Sequence, residues 1–416
     1  MTARRGLVWI LGLGAFGLAF SITMTAAYLP PLLKPRFTHS NTVVAAVLAA
    51  EGIFALTIPL VIGPWSDTFK TPMGRRRPFM LVALGPMGFC LAILAFMPNI
   101  WTATLIVLAF FFAYYVYEPP YRGLYPDVLH ETMYGRSQGV QHVMRGTALG
   151  IALVGGGFLF KVWHPAPFLF AAVATCGACG ACIYFVREPE NEGSRVFRGV
   201  RSYVQTSWRV FHDVPEVRHF LIANAAWEGT FAAMRTFVVL YITEGLDQPL
   251  STSSAVLATV AVGYVIAALG SWRLGNRIGL ARVIFAASFV YGAGLLAAGL
   301  ATEWRTWYYA FILPVAVAGG TVMTLSWALL FKLMPAQHRG AISGLATTTK
   351  GIGLLVGPLV AGVMIDVMKP YLGKTDGYEI LWPVCAVPVL AAIPLVASLI
   401  QREEGSAPEP QASSAA

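Results

Sequence analysis

Charge is what this chain has least of. Lys, Arg, Asp and Glu make up 12% of its 416 residues, against roughly 25% in an ordinary soluble domain. That shortfall excludes a water-facing globule of this size, because too little polar surface is left to cover it. Cysteine is scarce too: Cys90, Cys176, Cys179, Cys182 and Cys385 all lie inside apolar blocks. The run Cys176-Gly-Ala-Cys179-Gly-Ala-Cys182 has a spacing superficially like that of iron–sulfur proteins. It lacks a fourth neighbouring Cys, and interleaved Gly and Ala are what a close helix–helix contact uses. We therefore read these thiols as structural, and no metal or cofactor is expected.

Catalytic signatures are missing as well. We read no nucleophile elbow, phosphate loop or metal-ligand cluster, so an enzyme is not expected. Gly12-Leu-Gly14-Ala-Phe-Gly17 is a literal GxGxxG, but no acid follows about 20 positions on, and the segment lies in an apolar run. Acidic residues are outnumbered 20 to 29 by basic ones, giving a formal charge of +9. In a soluble protein this would suggest nucleic acid. Here nearly all the basic residues sit in gaps between apolar blocks and favour alternate gaps, and no basic face of the kind that binds nucleic acid is apparent.

What the chain does have is apolar length. Hydrophobic residues reach 57% and come in blocks near the ~20 residues that cross a bilayer. Twelve spans are read at 7–29, 41–63, 78–97, 100–120, 137–160, 165–186, 217–242, 251–272, 282–302, 306–331, 341–366 and 380–400. The first is too long for a signal-peptide core, and further spans follow it. With the N-terminus in the cytoplasm, and Arg218 and Arg282 at the cytoplasmic ends of their spans counted there, 20 of the 29 basic residues fall inside, 6 outside and 3 within spans. This positive-inside bias sets the orientation, with both termini cytoplasmic in the cytoplasmic membrane. The chain divides into a six-span half (1–186), a cytoplasmic linker (187–216) rich in Arg, a second six-span half (217–401) and a polar tail (402–416) expected to be disordered.

The halves repeat. At an offset of 205 positions Gly135, Gly139, Gly146 and Gly157 meet Gly340, Gly344, Gly351 and Gly362, and Arg145 meets Lys350. Between the second and third spans lies Gly63-Pro-Trp-Ser66-Asp67-Thr-Phe-Lys70-Thr-Pro-Met-Gly74-Arg75-Arg76-Arg77-Pro78-Phe79. It resembles the major-facilitator loop signature, Gly-x3-Asp followed by Gly-Arg-Arg, with a lengthened middle. Its spacing is similar to that of the sucrose/proton symporter family of plants and its animal and bacterial relatives. Pro120-Tyr-Arg122-Gly-Leu124-Tyr-Pro-Asp127 matches that group's Pro-x-Arg-Ala-Leu-x-x-Asp, and both motifs echo the glycoside–pentoside–hexuronide:cation symporters. The resemblance implies an all-α major-facilitator fold of twelve transmembrane helices in two pseudo-symmetric halves, with the solute site between them. Plant members carry an Asp in the fourth helix where Phe111 stands here, so coupling through that carboxylate does not carry over.

Within the loop, Asp67 can accept hydrogen bonds from helix N-terminal amides or from Arg122 and act as a latch. Arg75, Arg76 and Arg77 also set orientation against anionic lipid. Gly63, Gly74 and Asp127 complete the gating motif. The second-half counterpart, Gly275-Asn276-Arg277-Ile-Gly279, has lost the acid.

Ionisable groups deep in a bilayer cost several kcal/mol and point to function. The spans bury Glu51, Arg145, Glu228, Arg235 and Lys350, and Asn224, Glu228 and Arg235 share one helix face. Three uses remain open for this set: proton uptake and release by Glu228 or Glu51, anion binding by Arg145 and Lys350, or internal pairs that hold the fold. On the fourth span, Tyr114, Tyr117 and Glu118 are spaced to stack on and bond a sugar, although an interfacial aromatic belt has the same composition. The expectation is cation-coupled, first of all proton-coupled, transport of a sugar or glycoside by alternating access. Transport of an organic anion stands as one alternative, and a non-transporting assembly factor on the same fold as another.

Overall fold

The computed structural model describes residues 2–68, 71–129, 133–188, 200–333 and 339–405. Those residues form fourteen α-helices in chain order. The first six are α1 (Thr2–Phe37), α2 (Asn41–Thr68), α3 (Arg77–Leu94), α4 (Ile100–Val128), α5 (Tyr134–Val162) and α6 (Ala166–Phe185). Then come α7 (Val200–Asp213), α8 (Pro215–Leu240), α9 (Leu250–Ile278), α10 (Leu280–Ala298), α11 (Tyr308–Leu333), α12 (Arg339–Met368), α13 (Leu381–Ala391) and α14 (Ile393–Gly405). Long helices follow from the environment: in hydrocarbon every backbone N–H and C=O must be paired within the segment.

Eleven of the described segments are long and apolar enough to span a membrane. The span that this leaves out, the seventh of the sequence reading (217–242), falls on α8, which is long enough but carries Glu216, Arg218, Glu228 and Arg235. Of these charges Glu228 is buried and the Arg235 side chain is only 14% exposed, so the two deepest charges of α8 lie against other helices. The last span is split into α13 and α14 at Ala392, where Pro394 has no N–H to continue the ladder. Two further details differ from expectation. The Arg-rich linker contains α7, and α14 continues to Gly405, four residues into the stretch expected as tail; residues 406–416 lie outside those described.

The helices pack as two groups. In the first, α1 lies on α5 and α6, α3 on α4 and α6, and α2 on α4. In the second, α8 lies on α12 and α13, and α11 on α9 and α10. The groups meet where α2 packs on α12, α5 on α9 and α1 on α8. The two pseudo-equivalent helices α5 and α12 thus each reach into the other group. Their glycine mates mark those crossings. A Cβ on Gly157 would collide with Ser254 of α9, and one on Gly362 would sit 2.6 Å from Ala45 Cβ of α2. Bare backbone is what lets these helices approach.

Candidate functional site

About halfway along α2, α5, α8 and α12 the groups enclose a cluster of charges. Glu51 on α2 accepts a hydrogen bond from Arg235 Nη2 on α8 at 2.5 Å, and a second from Tyr115 Oη on α4 at 3.2 Å. This ion pair ties one group to the other, and both side chains are largely buried, at 5% and 14% exposure. On α4, Arg122 reaches back one turn to Glu118, with Nε and Nη2 bonding Oε1 at 3.0 and 2.6 Å. Glu118 is buried, while 42% of the Arg122 side chain remains exposed.

Three charges remain uncommitted. Among the described residues Glu228, Arg145 and Lys350 make no hydrogen bond or ion pair, and Arg145 Nε is buried without a partner. They are nonetheless close enough to act on one another electrostatically. Glu228 feels Lys350, Arg235, Glu51 and Arg145, and Glu118 feels Lys350 and Arg145 besides Arg122. Tyr114, 6% exposed, stands in the field of Glu118, Arg145, Glu51 and Arg122. In a medium of low polarity these fields are weakly screened. The centre holds three carboxylates and four cations.

Two expected members of the site are bonded to neighbouring helices. Asn224 donates to Thr349 Oγ1 at 3.3 Å and to the Ala346 carbonyl, joining α8 to α12. Tyr117 corrects a reading: it is wholly buried and its hydroxyl donates to the Cys179 carbonyl at 3.2 Å, so it packs α4 on α6 and cannot stack on a solute. An α-helix advances about 100° per residue, which puts Tyr117, Tyr121 and Tyr125 on one stripe of α4 and Tyr114, Glu118 and Arg122 on the next. Tyr121 and Tyr125 bond the Leu11 carbonyl of α1.

The arginine-rich loop between α2 and α3 lies at one end of the bundle. Arg75 and Arg76 pair with Asp127 at the end of α4, at 2.7 and 2.6 Å. The Glu188 carboxylate, just past α6, accepts from the backbone N–H groups of Arg75, Arg76 and Arg77 at 2.9 to 3.2 Å. It thereby caps the N-terminus of α3 from a distance. Gly74 has φ +102°, and a Cβ there would lie 2.7 Å from Glu188 Cδ, so glycine is needed on both counts. Arg77 bonds the Ile183 carbonyl at 2.9 Å, and Gly63 lies against Pro119. The Asp67 side chain is outside the described residues. Arg122, one of its two expected partners, is turned towards Glu118 in the centre.

The opposite end of the bundle carries a network that the sequence reading missed. Asp366 on α12 accepts from Ser40 Oγ, from Thr42 N–H and Oγ1, and from Asn41 N–H and Nδ2, all between 2.8 and 3.0 Å. Beside it Lys34 of α1 bonds Glu244 and Tyr378, and Tyr378 donates to Asn41 Oδ1 at 2.8 Å. Every one of these contacts except Tyr378 with Glu244 joins one helix group to the other. A Ser-Asn-Thr run opening a helix is a capping signal, but nothing local says that its acid lies 325 residues away.

A sequence profile of the Major Facilitator Superfamily matches residues 11–358 and, in a second alignment, 230–415. No curated protein matches the chain in sequence. Solved structures with the same architecture include a variant of the nucleoside transporter NupG, with TM-score 0.74 at 13% identity, covering 94% of this chain and 99% of that one. A bacterial homologue of the human lysosomal transporter Spinster, in an inward-facing and occupied conformation, gives 0.76 at 12% identity over 96% and 97%. The human organic anion transporter TETRAN gives 0.68 at 14% over 94% and 99%. At these identities the likeness is one of fold.

Proposed function

The chain belongs to the Major Facilitator Superfamily, and from that premise we propose that it is a secondary active transporter of a small organic anion, working by alternating access. One observation carries the choice of solute. Arg235 and Arg122 are taken up by Glu51 and Glu118, which leaves Arg145 and Lys350 facing a single free carboxylate, Glu228. The centre is one positive charge in excess, and an anionic group from a solute completes it.

The same arithmetic supplies the coupling. A proton on Glu228 removes the one free negative charge and raises the excess from one to two. Anion and proton therefore favour each other's binding, as linkage requires of any coupled pair. A protein that binds both together and releases both together is a symporter. Burial and neighbouring cations pull a carboxyl in opposite directions, so rearrangement of the halves is enough to switch Glu228 between loaded and empty.

Orientation gives the state. With the arginine-rich end at the cytoplasm, the Asp366 and Lys34 network closes the outer end, and the bundle is poised inward. The hydrogen bonds between the halves whose partners are both described lie at mid-bundle or at that outer end.

Heat-stability shifts of the purified protein across organic acids and neutral sugars test the solute. Acids should stabilise the wild type, and Lys350→Gln and Arg145→Gln should each weaken the effect at least tenfold. A shift with sugars alone would reverse the assignment. Uptake into vesicles after a pH jump tests coupling: accumulation should follow the proton gradient in wild type and ignore it in Glu228→Gln. Flux indifferent to the gradient in both removes the proton from the mechanism.

A further inference from the structure

Between the charged centre and the closed outer end lies a cavity of about 500 Å³, walled by α8, α9, α10 and α11 with α1 and α5 along one side. Its volume falls within the range of pockets that hold a drug-sized ligand. Its wall is aromatic and aliphatic, with Tyr264, Tyr291, Trp304, Trp307 and Trp382 prominent, and Arg235 is the one charged residue in it. A polyhydroxylated solute would leave water here with almost nothing to replace its hydrogen bonds. An apolar body would not.

The cavity abuts the anion site. Tyr264 lines it and lies in the electrostatic field of Arg145 and Glu228. Arg235 belongs to both, since its Nη2 holds Glu51 while its Nε is buried without a partner. Charge and apolar volume are therefore arranged end to end along the membrane normal. Resting on the anion reading above, we propose that the solute is amphipathic: a single carboxylate or sulfonate at the Arg145–Lys350 centre, and an aromatic or alicyclic body in this cavity, pointing at the closed outer end.

The test uses the full chain in phosphatidylcholine nanodiscs and three probes: 2-naphthoate, 2-naphthylmethanol and gluconate. In the wild type 2-naphthoate should bind at least tenfold tighter than either of the others. Ala298→Phe, which fills the cavity, should remove that tenfold advantage and leave gluconate binding where it was. Should the filled variant not fold, 6-bromo-2-naphthoate should quench wild-type tryptophan fluorescence more than that of Trp382→Phe, because Trp382 is in the wall. Gluconate binding as tightly as 2-naphthoate, with both weakened by Lys350→Gln, would overturn the amphipathic solute and leave the anion transporter standing. Equal binding of 2-naphthylmethanol and 2-naphthoate would also overturn it, and would mark the cavity as a seat for neutral lipid-like molecules. If no acid binds and Lys350→Gln changes nothing, the anion reading itself fails.

Discussion

Asp366 and Glu188 perform the same local task at opposite ends of the bundle. Each is a carboxylate brought from a distant part of the chain to the exposed amides of a helix N-terminus, α2 for Asp366 and α3 for Glu188. The attraction has one origin in both: unpaired N–H groups and the positive end of the helix dipole. What differs is the boundary crossed. Asp366 belongs to one half and caps a helix of the other, whereas Glu188 follows α6 and caps α3 of the same half. A cap within a half survives when the halves rock, and so acts as a brace. In the alternating access we propose, a cap between halves has to break, and so acts as a gate. The comparison teaches that the partner's location, not the chemistry of the bond, decides whether a charged contact stiffens a transporter or times it.

The largest effect should come from the inter-half contact that is most deeply buried. Removing one member of a buried ion pair costs about 3–5 kcal/mol, because the other charge is left stranded. Glu51→Gln and Arg235→Gln should each lower thermal stability by that order and abolish uptake. The double variant strands no charge, so it should melt close to wild type while still failing to transport. Wild-type uptake by the double variant would show that the pair only holds the fold.

Asp366→Asn comes next. Hydrogen bonds to a charged acceptor are worth roughly 1.5–3 kcal/mol net, and every 1.4 kcal/mol is a tenfold change in an equilibrium. The variant should therefore shift the population towards an open outer end by about 10- to 100-fold. A cysteine at Ala27, which lines the cavity beneath the gate and is 1% exposed, reports this directly. Its reaction with a membrane-impermeant reagent added from outside should accelerate by that factor. Glu188→Gln is the matched control. It should cost stability, by about 1.5–3 kcal/mol through the same lost charge assistance, but leave the labelling rate at position 27 unchanged. Faster labelling in Glu188→Gln would erase the distinction between brace and gate.

Much of this plan was legible beforehand, for a plain reason: a bilayer leaves few ways to satisfy a backbone, so apolar length alone gave the spans. Charges in oil were legible by their cost, which picked out Glu51, Arg145, Glu228, Arg235 and Lys350 as candidates. Their pairing was not, since Glu51 and Arg235 are 184 residues apart and nothing in either helix selects the other. The two capping acids were missed because a carboxylate just beyond a helix looks like any solvated loop residue until the opposing amides are known. Asn224 was read correctly as inward-facing on α8, yet its bond goes to the adjacent α12. A helix face is visible in a sequence; the neighbour that meets it is not.

The smallest effect sharpens the reading of α4. Tyr117 and Tyr115 are two residues apart and both carry a buried hydroxyl, one donating to the Cys179 carbonyl and the other to the Glu51 carboxyl group that pairs with Arg235. Tyr117→Phe removes a neutral hydrogen bond, so stability should fall by about 0.5–1.5 kcal/mol, and solute affinity and uptake should not change. Tyr115→Phe takes a donor from the charge that links the halves, so it should slow uptake as well. If Tyr117→Phe instead weakens solute binding tenfold with its melting point intact, the tyrosine stripe against α1 and α6 must open to the solute. The apolar seat would then have to be shared between the two halves.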